Sequence, residues 1–200
     1  MDTGTFTRDS LLRLFEERGA LLSGHFLLSS GLHSARYLQC ARVLMDPALA
    51  GRLGEALAAR LRPLLQGETP RAVVAPALGG VVVAHEVARA LGCLGLFTER
   101  QEGAMTLRRG FTLADGEPVV VVEDVITTGG STREVLEAVR ARGARVLAVG
   151  SLVDRSGGTV DFGVPCASLL ELAVEAYAPE TCPLCAQGSR PEKPGSRAAR

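Results

Sequence analysis

Hydrophobic positions in the first third of the chain predict two amphipathic helices separated by strands and turns. The first helix covers residues 8–18, and residues 24–39 form a mixed segment of strands and turns. The second helix begins at Asp46-Pro47, because aspartate is a favourable N-cap and proline fits the first helical position, and it ends near Pro63. Its buried stripe consists of leucines four residues apart: Leu49, Leu53, Leu57 and Leu61.

From residue 71 onward, continuous apolar runs alternate with helical spacing. The predicted strands are residues 71–76, 94–98, 119–122 and 146–153. One predicted helix follows Gly79-Gly80 and has an apolar stripe over residues 84–91. Another predicted helix covers residues 131–142. Residues 105–113 are expected to form an irregular hairpin that carries Arg108 and Arg109. Apolar strands alternating with helices indicate a parallel sheet covered on both faces, so the expected fold class is α/β.

Composition narrows the chemistry that such a fold could carry. The 22 basic and 22 acidic residues give zero net charge, and without a basic block this argues against a sequence-independent grip on nucleic acid. All basic residues but Lys193 are arginine. A Walker A loop, a Schiff base and pyridoxal-phosphate chemistry each need a lysine in the site, and Lys193 lies in a Pro/Gly/Arg-rich tail. Phosphate chemistry must therefore use arginine, backbone amides and hydroxyls.

The chain shows no targeting or spanning segment, and its extent suggests one domain. No run approaches the roughly 20 apolar residues that cross a bilayer, and the N-terminus lacks a secretory pattern. The five cysteines do not resemble a disulfide framework, so we expect a cytoplasmic protein without a membrane partner. Residues 1–178 are expected to form the domain, and residues 179–200 a loosely ordered polar tail.

Candidate chemistry concentrates where the apolar run 119–122 ends. Glu123 and Asp124 follow it directly, and a loop of hydroxyls and glycines over residues 127–132 then opens a helix. Ligands bind at the carboxyl ends of parallel strands, glycines let backbone amides approach them, and a helix N-terminus attracts anions. The segment predicts a cradle for a phosphate monoester, with the acids facing ribose hydroxyls or holding Mg²⁺ directly or through water. The alternative is ordinary capping, since Ser131 and Glu134 have capping-box spacing.

Residues 119–132 resemble the 5-phosphoribosyl-1-pyrophosphate binding motif of type I phosphoribosyltransferases: an apolar strand, two acids, two variable residues and Thr-x-Gly-x-[Ser/Thr]. Three further segments resemble orotate phosphoribosyltransferases. Phe26–Gly31 with Ser34 and Tyr37 is similar to their F-x-L-x-S-G-x-x-S segment. Residues 75–80 are similar to their pyrophosphate-binding loop, and residues 152–155 resemble a strand-end Asp-Arg pair whose arginine contacts orotate. The matches keep the family's order over roughly residues 10–175.

The resemblance implies a type I phosphoribosyltransferase fold, in which a hood from about residues 1–40 and 155–178 covers a central parallel sheet. It implies transfer of a phosphoribosyl group to orotate, giving orotidine 5′-monophosphate and pyrophosphate, with Mg²⁺ required, no direct protein ligand to the metal, and a homodimer. The implied catalytic residues are Glu123, Asp124 and Arg100. The implied ribose and 5′-phosphate residues are Glu123, Asp124, Val125, Ile126, Thr127, Thr128, Gly129, Gly130 and Ser131. Orotate would contact Thr127 and Arg155, and pyrophosphate would contact Ala77, Leu78, Gly79 and Gly80.

The chain departs from the family where lysine is common. Ser29 stands in the N-terminal segment and Gly79 in the pyrophosphate loop at positions where relatives often carry lysine. In the mobile-loop region only Arg100 matches directly, and the further basic residues would be Arg108 and Arg109, which could equally be a solvated hairpin edge. Arg155 suits orotate because a guanidinium pairs with a carboxylate through two parallel hydrogen bonds, although a solvated arginine is the alternative.

Three other functions remain open from the sequence. The chain could act on another base, although Arg155 and the Phe26–Gly31 segment suit an anionic pyrimidine. It could be a non-catalytic regulator that binds phosphoribosyl pyrophosphate, although no nucleic-acid module or basic face is evident. The missing lysines also leave an inactive homologue possible.

Two lesser features complete the pattern. Cys182-Pro183-Leu184-Cys185 has the spacing of half a zinc site, but no second cysteine or histidine pair lies nearby in sequence. The remaining ligands could come from a second subunit, and the alternative is an unremarkable tail. The three histidines, His25, His33 and His85, are isolated in sequence, and none is assigned a catalytic role.

Overall fold

The structure, a computed structural model, describes residues 6–28 and 30–194. Its helices are α1 (Arg8–Glu17), α2 (Ala41–Leu44), α3 (Pro47–Leu61), α4 (Gly79–Leu91), α5 (Gly130–Arg140) and α6 (Pro183–Ala186). Its strands are β1 (Leu21–Leu27), β2 (His33–Leu38), β3 (Ala72–Pro76), β4 (Leu94–Gln101), β5 (Ala104–Leu107), β6 (Pro118–Ile126), β7 (Arg145–Asp154) and β8 (Cys166–Glu171). Within these described ranges no helix is long and apolar enough to cross a membrane.

The main sheet has six strands in the order β5-β4-β3-β6-β7-β8. All neighbours pair in parallel except β4 and β5, which are antiparallel. The predicted central parallel sheet is thus confirmed, and so are the predicted helices, among them α3 with Asp46 as its N-cap. Strand β8 was not predicted. The antiparallel pair β1 and β2 forms a small second sheet outside the main one.

The hairpin predicted over residues 105–113 lies earlier in the chain. Its arms are β4 and β5, and its turn is Glu102-Gly103, both of which have positive φ (49° and 89°). A two-residue turn of this kind matches the right-handed twist of the flanking strands. The correction moves Arg108 and Arg109 out of the hairpin and into the connection that follows β5.

Two hydrophobic cores enclose the sheet, one on each face. Along β6, Val120 and Val122 point into the core shared with α3 and α4, whereas Val119 and Val121 point into the core shared with α5. All four valines are fully buried. A strand buried on both faces needs apolar residues at every position, which is why β6 has the longest β-branched run in the chain.

Residues 179–194 belong to the segment that the sequence predicts to be a loosely ordered tail, and they contain short regular elements. These are a 3-10 turn (Pro179–Thr181) and α6, and the Cys182 side chain is buried. Backbone bridges attach this segment to the small sheet on both sides, from Tyr177 to His33 and from Glu192 to Phe26. Residues 195–200, also expected in the tail, lie outside the described residues.

Two glycines of α3 provide a matched test of helix packing. A Cβ at Gly54 would lie 2.5 Å from the Cβ of Glu86 and 2.8 Å from its carbonyl carbon, so α4 has to move to admit it. A Cβ at Gly51 would meet only side-chain ends, the nearest being Arg89 Nη2 at 3.0 Å. We expect Gly54→Ala to lower the free energy of unfolding by about 1–3 kcal/mol through overpacking. Gly51→Ala should be neutral or stabilising, because alanine favours a helix by up to about 1 kcal/mol over glycine.

Urea unfolding of both variants and the wild type measures the difference. Equal effects of the two substitutions would contradict the close approach of α3 and α4 at Gly54.

Candidate active site

The two acids at the end of β6 occupy different surroundings. Glu123 is buried, and its Oε2 accepts hydrogen bonds from Ser131 Oγ at 2.9 Å and Thr132 Oγ1 at 2.7 Å. Asp124 is only partly buried, and its Oδ1 accepts from the backbone N–H of Val125 at 3.0 Å. Glu123 therefore holds the first turn of α5 in place, while Asp124 is the acid that lies closer to solvent.

Burial changes the ionisation of both acids. It raises the pKa of Glu123 from 4.5 to about 7, against the opposing effect of the Thr132 and Ser131 hydroxyls, and the neighbouring Asp124 charge raises it further. Burial also raises the pKa of Asp124. Near neutral pH, Glu123 is therefore partly protonated, which limits the repulsion that two adjacent carboxylates would otherwise exert.

The loop after β6 is shaped by one glycine. Gly129 is the N-cap of α5 and has φ of 76°, and a Cβ there would lie 2.7 Å from Val160 Cγ1 and 2.9 Å from the ring of Phe162. Thr127, Thr128 and Gly130 are exposed around it. The capping-box alternative is not formed, since α5 has no side-chain cap and Ser131 donates to Glu123 instead. The exposed loop at the N-terminus of α5 can receive an anion.

Arg133 braces this loop and was not singled out in the sequence. Its Nη1 donates to the Thr128 carbonyl oxygen at 2.8 Å and its Nη2 to the Asp161 carbonyl oxygen at 3.2 Å. Its guanidinium also lies 5.3 Å from the ring centre of Phe162. A cation in the first turn of a helix opposes the helix dipole, and this unfavourable placement is the signal that could have revealed it.

The loop between β3 and α4 lies directly against Asp124. A Cβ at Gly79 would sit 2.6 Å and 2.7 Å from the two carboxylate oxygens of Asp124. The predicted pyrophosphate loop and the acid are thus brought together, as expected from the pairing of β3 with β6. Any side chain at position 79 would require Asp124 to rotate. Leu78 in the same loop is 87% exposed.

Arg155 lies at the neighbouring strand end. Its backbone N–H donates to the Ile126 carbonyl oxygen at 2.8 Å, which places it beside the start of the loop at Thr127. The Asp154 carboxylate shapes the turn that follows by accepting from the backbone N–H groups of Ser156 at 2.7 Å and Gly158 at 3.1 Å. Arg155 Nε is buried without a hydrogen-bond partner among the described residues, and burial lowers the pKa of the side chain. An unsatisfied buried donor of this kind favours an anionic acceptor.

The three loop arginines have different partners. Arg100 of β4 is 2.7 Å from the carboxylate of Glu134, the fifth residue of α5, and it donates to the Gly103 carbonyl oxygen at 2.5 Å. Arg109 donates two hydrogen bonds to Glu99, at 2.9 Å and 2.8 Å. Arg108 is exposed. Arg100 is therefore the loop arginine that the structure places next to the helix of the candidate phosphate site.

The N-terminal segment with the F-x-L-x-S-G resemblance belongs to the small sheet. Its Phe26 and Tyr37 rings lie 5.7 Å apart, and Ser34 Oγ donates to the Glu175 carbonyl oxygen at 2.9 Å. Ser29, which stands where relatives often have lysine, lies outside the described residues.

Comparisons with known proteins agree with this arrangement. Residues 43–173 match the family model of the phosphoribosyl transferase domain. An orotate phosphoribosyltransferase of Pelotomaculum thermopropionicum is 56% identical over 191 residues, which cover 96% of this chain and 98% of that protein. This chain belongs to the orotate phosphoribosyltransferase family. An orotate phosphoribosyltransferase of Thermotoga maritima is 54% identical over 184 residues, which cover 92% of this chain and 96% of that protein.

A solved structure from the same family shares the fold. The crystal structure of orotate phosphoribosyltransferase from Aeropyrum pernix superposes with a TM-score of 0.64 at 30% identity, and the match covers 80% of this chain and 93% of that one. The family model spans β3, β6 and β7, so all three strand ends of the candidate site fall inside it. The expected type I phosphoribosyltransferase fold is thus confirmed.

The raised pKa of the buried Glu123 carboxyl predicts that the free energy of unfolding depends on pH. Because its pKa in the folded protein is about 7, against 4.5 in the unfolded chain, the folded state holds a proton that the unfolded state releases between these values. Glu123 therefore lowers the free energy of unfolding as pH rises through this window. Glu123→Gln removes the titration and keeps an oxygen that can accept from Thr132. We expect its stability relative to wild type to increase from about pH 4.5 to 7, by on the order of 3 kcal/mol.

Urea unfolding at pH values across this window measures the effect. A stability difference between Glu123→Gln and the wild type that stays constant across this window would contradict the raised pKa of Glu123.

Proposed function

We propose that this protein transfers the 5-phosphoribosyl group from 5-phosphoribosyl 1-pyrophosphate to orotate, giving orotidine 5′-monophosphate and pyrophosphate, a step of pyrimidine biosynthesis. The observation that carries the proposal is the meeting of three features at one sheet edge: an anion-receptive loop at the start of α5, Asp124 against the glycine loop, and Arg155 with an unpartnered Nε. The near-full-length similarity to proteins named orotate phosphoribosyltransferase supports orotate over another base.

The 5′-phosphate binds to the loop over residues 127–131. Its exposed hydroxyls and the backbone N–H groups at the N-terminus of α5 supply the hydrogen-bond donors, which explains how the site works without lysine. Gly129 allows the tight turn, and Arg133 fixes the loop through the Thr128 carbonyl oxygen. Val125 and Ile126 complete the segment and contribute mainly backbone, because Ile126 is buried and Val125 half-buried.

The ribose lies over Asp124, which accepts hydrogen bonds from its hydroxyls. As the bond from C1′ to pyrophosphate breaks, positive charge grows on the ribose, and a nearby carboxylate stabilises it. Glu123 positions the site indirectly. It accepts hydrogen bonds from Ser131 and Thr132, and these bonds hold the phosphate loop in place relative to the neighbouring Asp124. No side chain has to act as a covalent nucleophile.

The pyrophosphate lies over Ala77, Leu78, Gly79 and Gly80, where glycine leaves room beside Asp124. Arginines take the place of the family's lysines, Arg100 first and then Arg108 or Arg109. Asp124 would hold Mg²⁺ through water, because this ion prefers carboxylate, phosphate and water oxygens. When bound, Mg²⁺ neutralises charge that develops on the leaving pyrophosphate.

Orotate is recognised at the end of β7. Its carboxylate pairs with the Arg155 guanidinium, whose Nε has no partner among the described residues, and Thr127 lies next to it. A purine base has no carboxylate for this arginine.

A homodimer and a cytoplasmic location complete the proposal. Leu78 is 87% exposed, and Val82 is exposed one helical turn after it, so apolar surface adjoins the pyrophosphate loop. A second copy of the chain would cover this surface and place its own loop near the site. No disulfide joins any of the five cysteines, as is usual in a reducing compartment.

The direct test mixes the protein with orotate, phosphoribosyl pyrophosphate and Mg²⁺ and follows the loss of the ultraviolet absorbance of orotate. We expect loss of absorbance and stoichiometric formation of orotidine 5′-monophosphate and pyrophosphate. Turnover of a purine base but not of orotate would indicate specificity for another base. Binding of phosphoribosyl pyrophosphate without turnover of either would indicate a regulator or an inactive homologue.

The role of Arg155 predicts a selective defect. Arg155→Gln should raise the KM for orotate about 10- to 100-fold, since a charge-assisted pair is lost, and change the KM for phosphoribosyl pyrophosphate little. The matched control is Arg145→Gln at the opposite end of β7, where the arginine forms an exposed ion pair with Glu68. Steady-state kinetics with each substrate varied in turn measures both constants. An equal rise in both KM values for Arg155→Gln would remove Arg155 from orotate recognition.

A further inference from the structure

Four side chains from opposite ends of the chain meet beside the small sheet. His25 and His33 come from β1 and β2, Cys182 is the N-cap of α6, and Cys185 lies within that helix. One donor atom from each lies within 4.8 Å of every other. The cysteine pair that stood alone in the sequence thus has its second pair within the same subunit, supplied by two histidines 8 residues apart on paired strands.

Four of the six donor–donor distances are close to those of a tetrahedral zinc site. His25 Nε2 lies 3.0 Å from His33 Nδ1, 3.5 Å from Cys182 Sγ and 3.8 Å from Cys185 Sγ, and Cys185 Sγ lies 3.3 Å from His33 Nδ1. Zinc bonds of about 2.0–2.1 Å to nitrogen and 2.3 Å to sulfur, arranged tetrahedrally, put the ligands about 3.3–3.8 Å apart. The four side chains are therefore spaced to hold one ion at their centre with small adjustments.

The donor types select the metal. Two thiolates and two imidazoles are a zinc set, whereas Mg²⁺ takes oxygen ligands, so this cluster is unrelated to the ion expected with phosphoribosyl pyrophosphate. Four protein ligands leave no position open for substrate, which is the pattern of a structural rather than a catalytic site. Three of the four, His25, His33 and Cys182, are buried, and Cys185 is half-buried.

The surroundings already orient one of the ligands. His25 directs Nε2 into the cluster, while its Nδ1 lies 3.2 Å from Ser189 Oγ. A hydrogen bond at the outer nitrogen fixes the ring and the tautomer of a metal-binding histidine.

Backbone contacts frame the cluster on both sides. His33 and Tyr177 exchange two hydrogen bonds of 2.8 Å through their backbones. On the other side, the backbone N–H of Leu27 donates to Glu192 and that of Glu192 donates to His25, at 2.7 Å and 2.8 Å. The chain from Tyr177 to Glu192 therefore crosses the β1–β2 hairpin with the two cysteines at its centre.

We propose that His25, His33, Cys182 and Cys185 bind one Zn²⁺ that fastens residues 177–192 to the β1–β2 hairpin. His25 and His33 lie on the paired strands β1 and β2, so the ion also links these two strands. The site does not depend on the proposed activity, because its ligands lie outside the phosphate, ribose and base contacts.

Metal analysis of untagged protein, purified under reducing conditions without chelator or added metal, is the first test. We expect one equivalent of zinc per chain. After zinc removal, titration with Co²⁺ should reach an endpoint of one equivalent, with the intense visible bands of tetrahedral cobalt and a near-ultraviolet thiolate-to-cobalt band. Protein with no zinc and no such spectrum after titration overturns the proposal, and so does a Cys182–Cys185 disulfide in place of the metal.

A matched pair of variants assigns the ligands. Cys182→Ser with Cys185→Ser should reduce bound zinc to near zero and abolish the thiolate-to-cobalt band. Cys93→Ser with Cys166→Ser removes two cysteines outside the cluster and should keep one equivalent. Retention of zinc and of the band by the first variant overturns the assignment. If that variant does not fold, alkylation of the wild type decides: zinc should protect Cys182 and Cys185 but not the exposed Cys166, and equal labelling with and without zinc overturns the proposal.

Discussion

The burial of β6 on both faces is the constraint on which the rest of the structure depends. Its four valines alternate between two cores, so none of these positions can take a polar side chain without burying it in apolar surroundings. The first polar positions after the valines are Glu123 and Asp124, and α5 begins at Gly130, beyond the loop that follows β6. Strands β3 and β7 pair with β6 on either side and bring their own ends, with Gly79 and Arg155, to the same edge.

At that edge, two adjacent acids are kept compatible by unequal burial. Glu123 turns inward, where hydroxyls of α5 satisfy its carboxylate and burial raises its pKa to about 7. Asp124 turns toward the loop of Gly79. One acid therefore supports the loop from within the protein, and the other is left for a ligand. The sequence motif of two adjacent acids does not show which acid supports the loop and which one faces the ligand.

The small sheet depends on a different kind of contact. Two strands cannot bury much apolar surface by themselves, and an isolated hairpin is marginally stable. Here, residues 177–192 add backbone hydrogen bonds on both sides and bring two cysteines to two histidines. Backbone hydrogen bonds and the cluster of two histidines and two cysteines thus stabilise the small sheet, whereas hydrophobic cores stabilise the main sheet.

Local pattern was sufficient for most of the main sheet, because apolar runs and helix caps such as Asp46 are properties of neighbouring residues. The motif after β6 likewise predicted where the candidate site lies. Sequence pattern missed the turn at Glu102-Gly103 and the short regular elements of residues 179–194. It also missed the brace by Arg133 and the division of roles between Glu123 and Asp124, because burial and hydrogen bonding differ between two adjacent carboxylates only after the chain has packed.

By itself, the sequence determined the alternation of strands and helices, the loop chemistry after β6 and the near absence of lysine, since these follow from residue types and short spacings. Only the tertiary structure decided which distant residues meet. His25 and Cys182 are 157 positions apart, and Gly79 and Asp124 belong to different strand–helix units. Such contacts depend on strand order and on how the chain closes over the sheet, and a one-dimensional pattern contains neither.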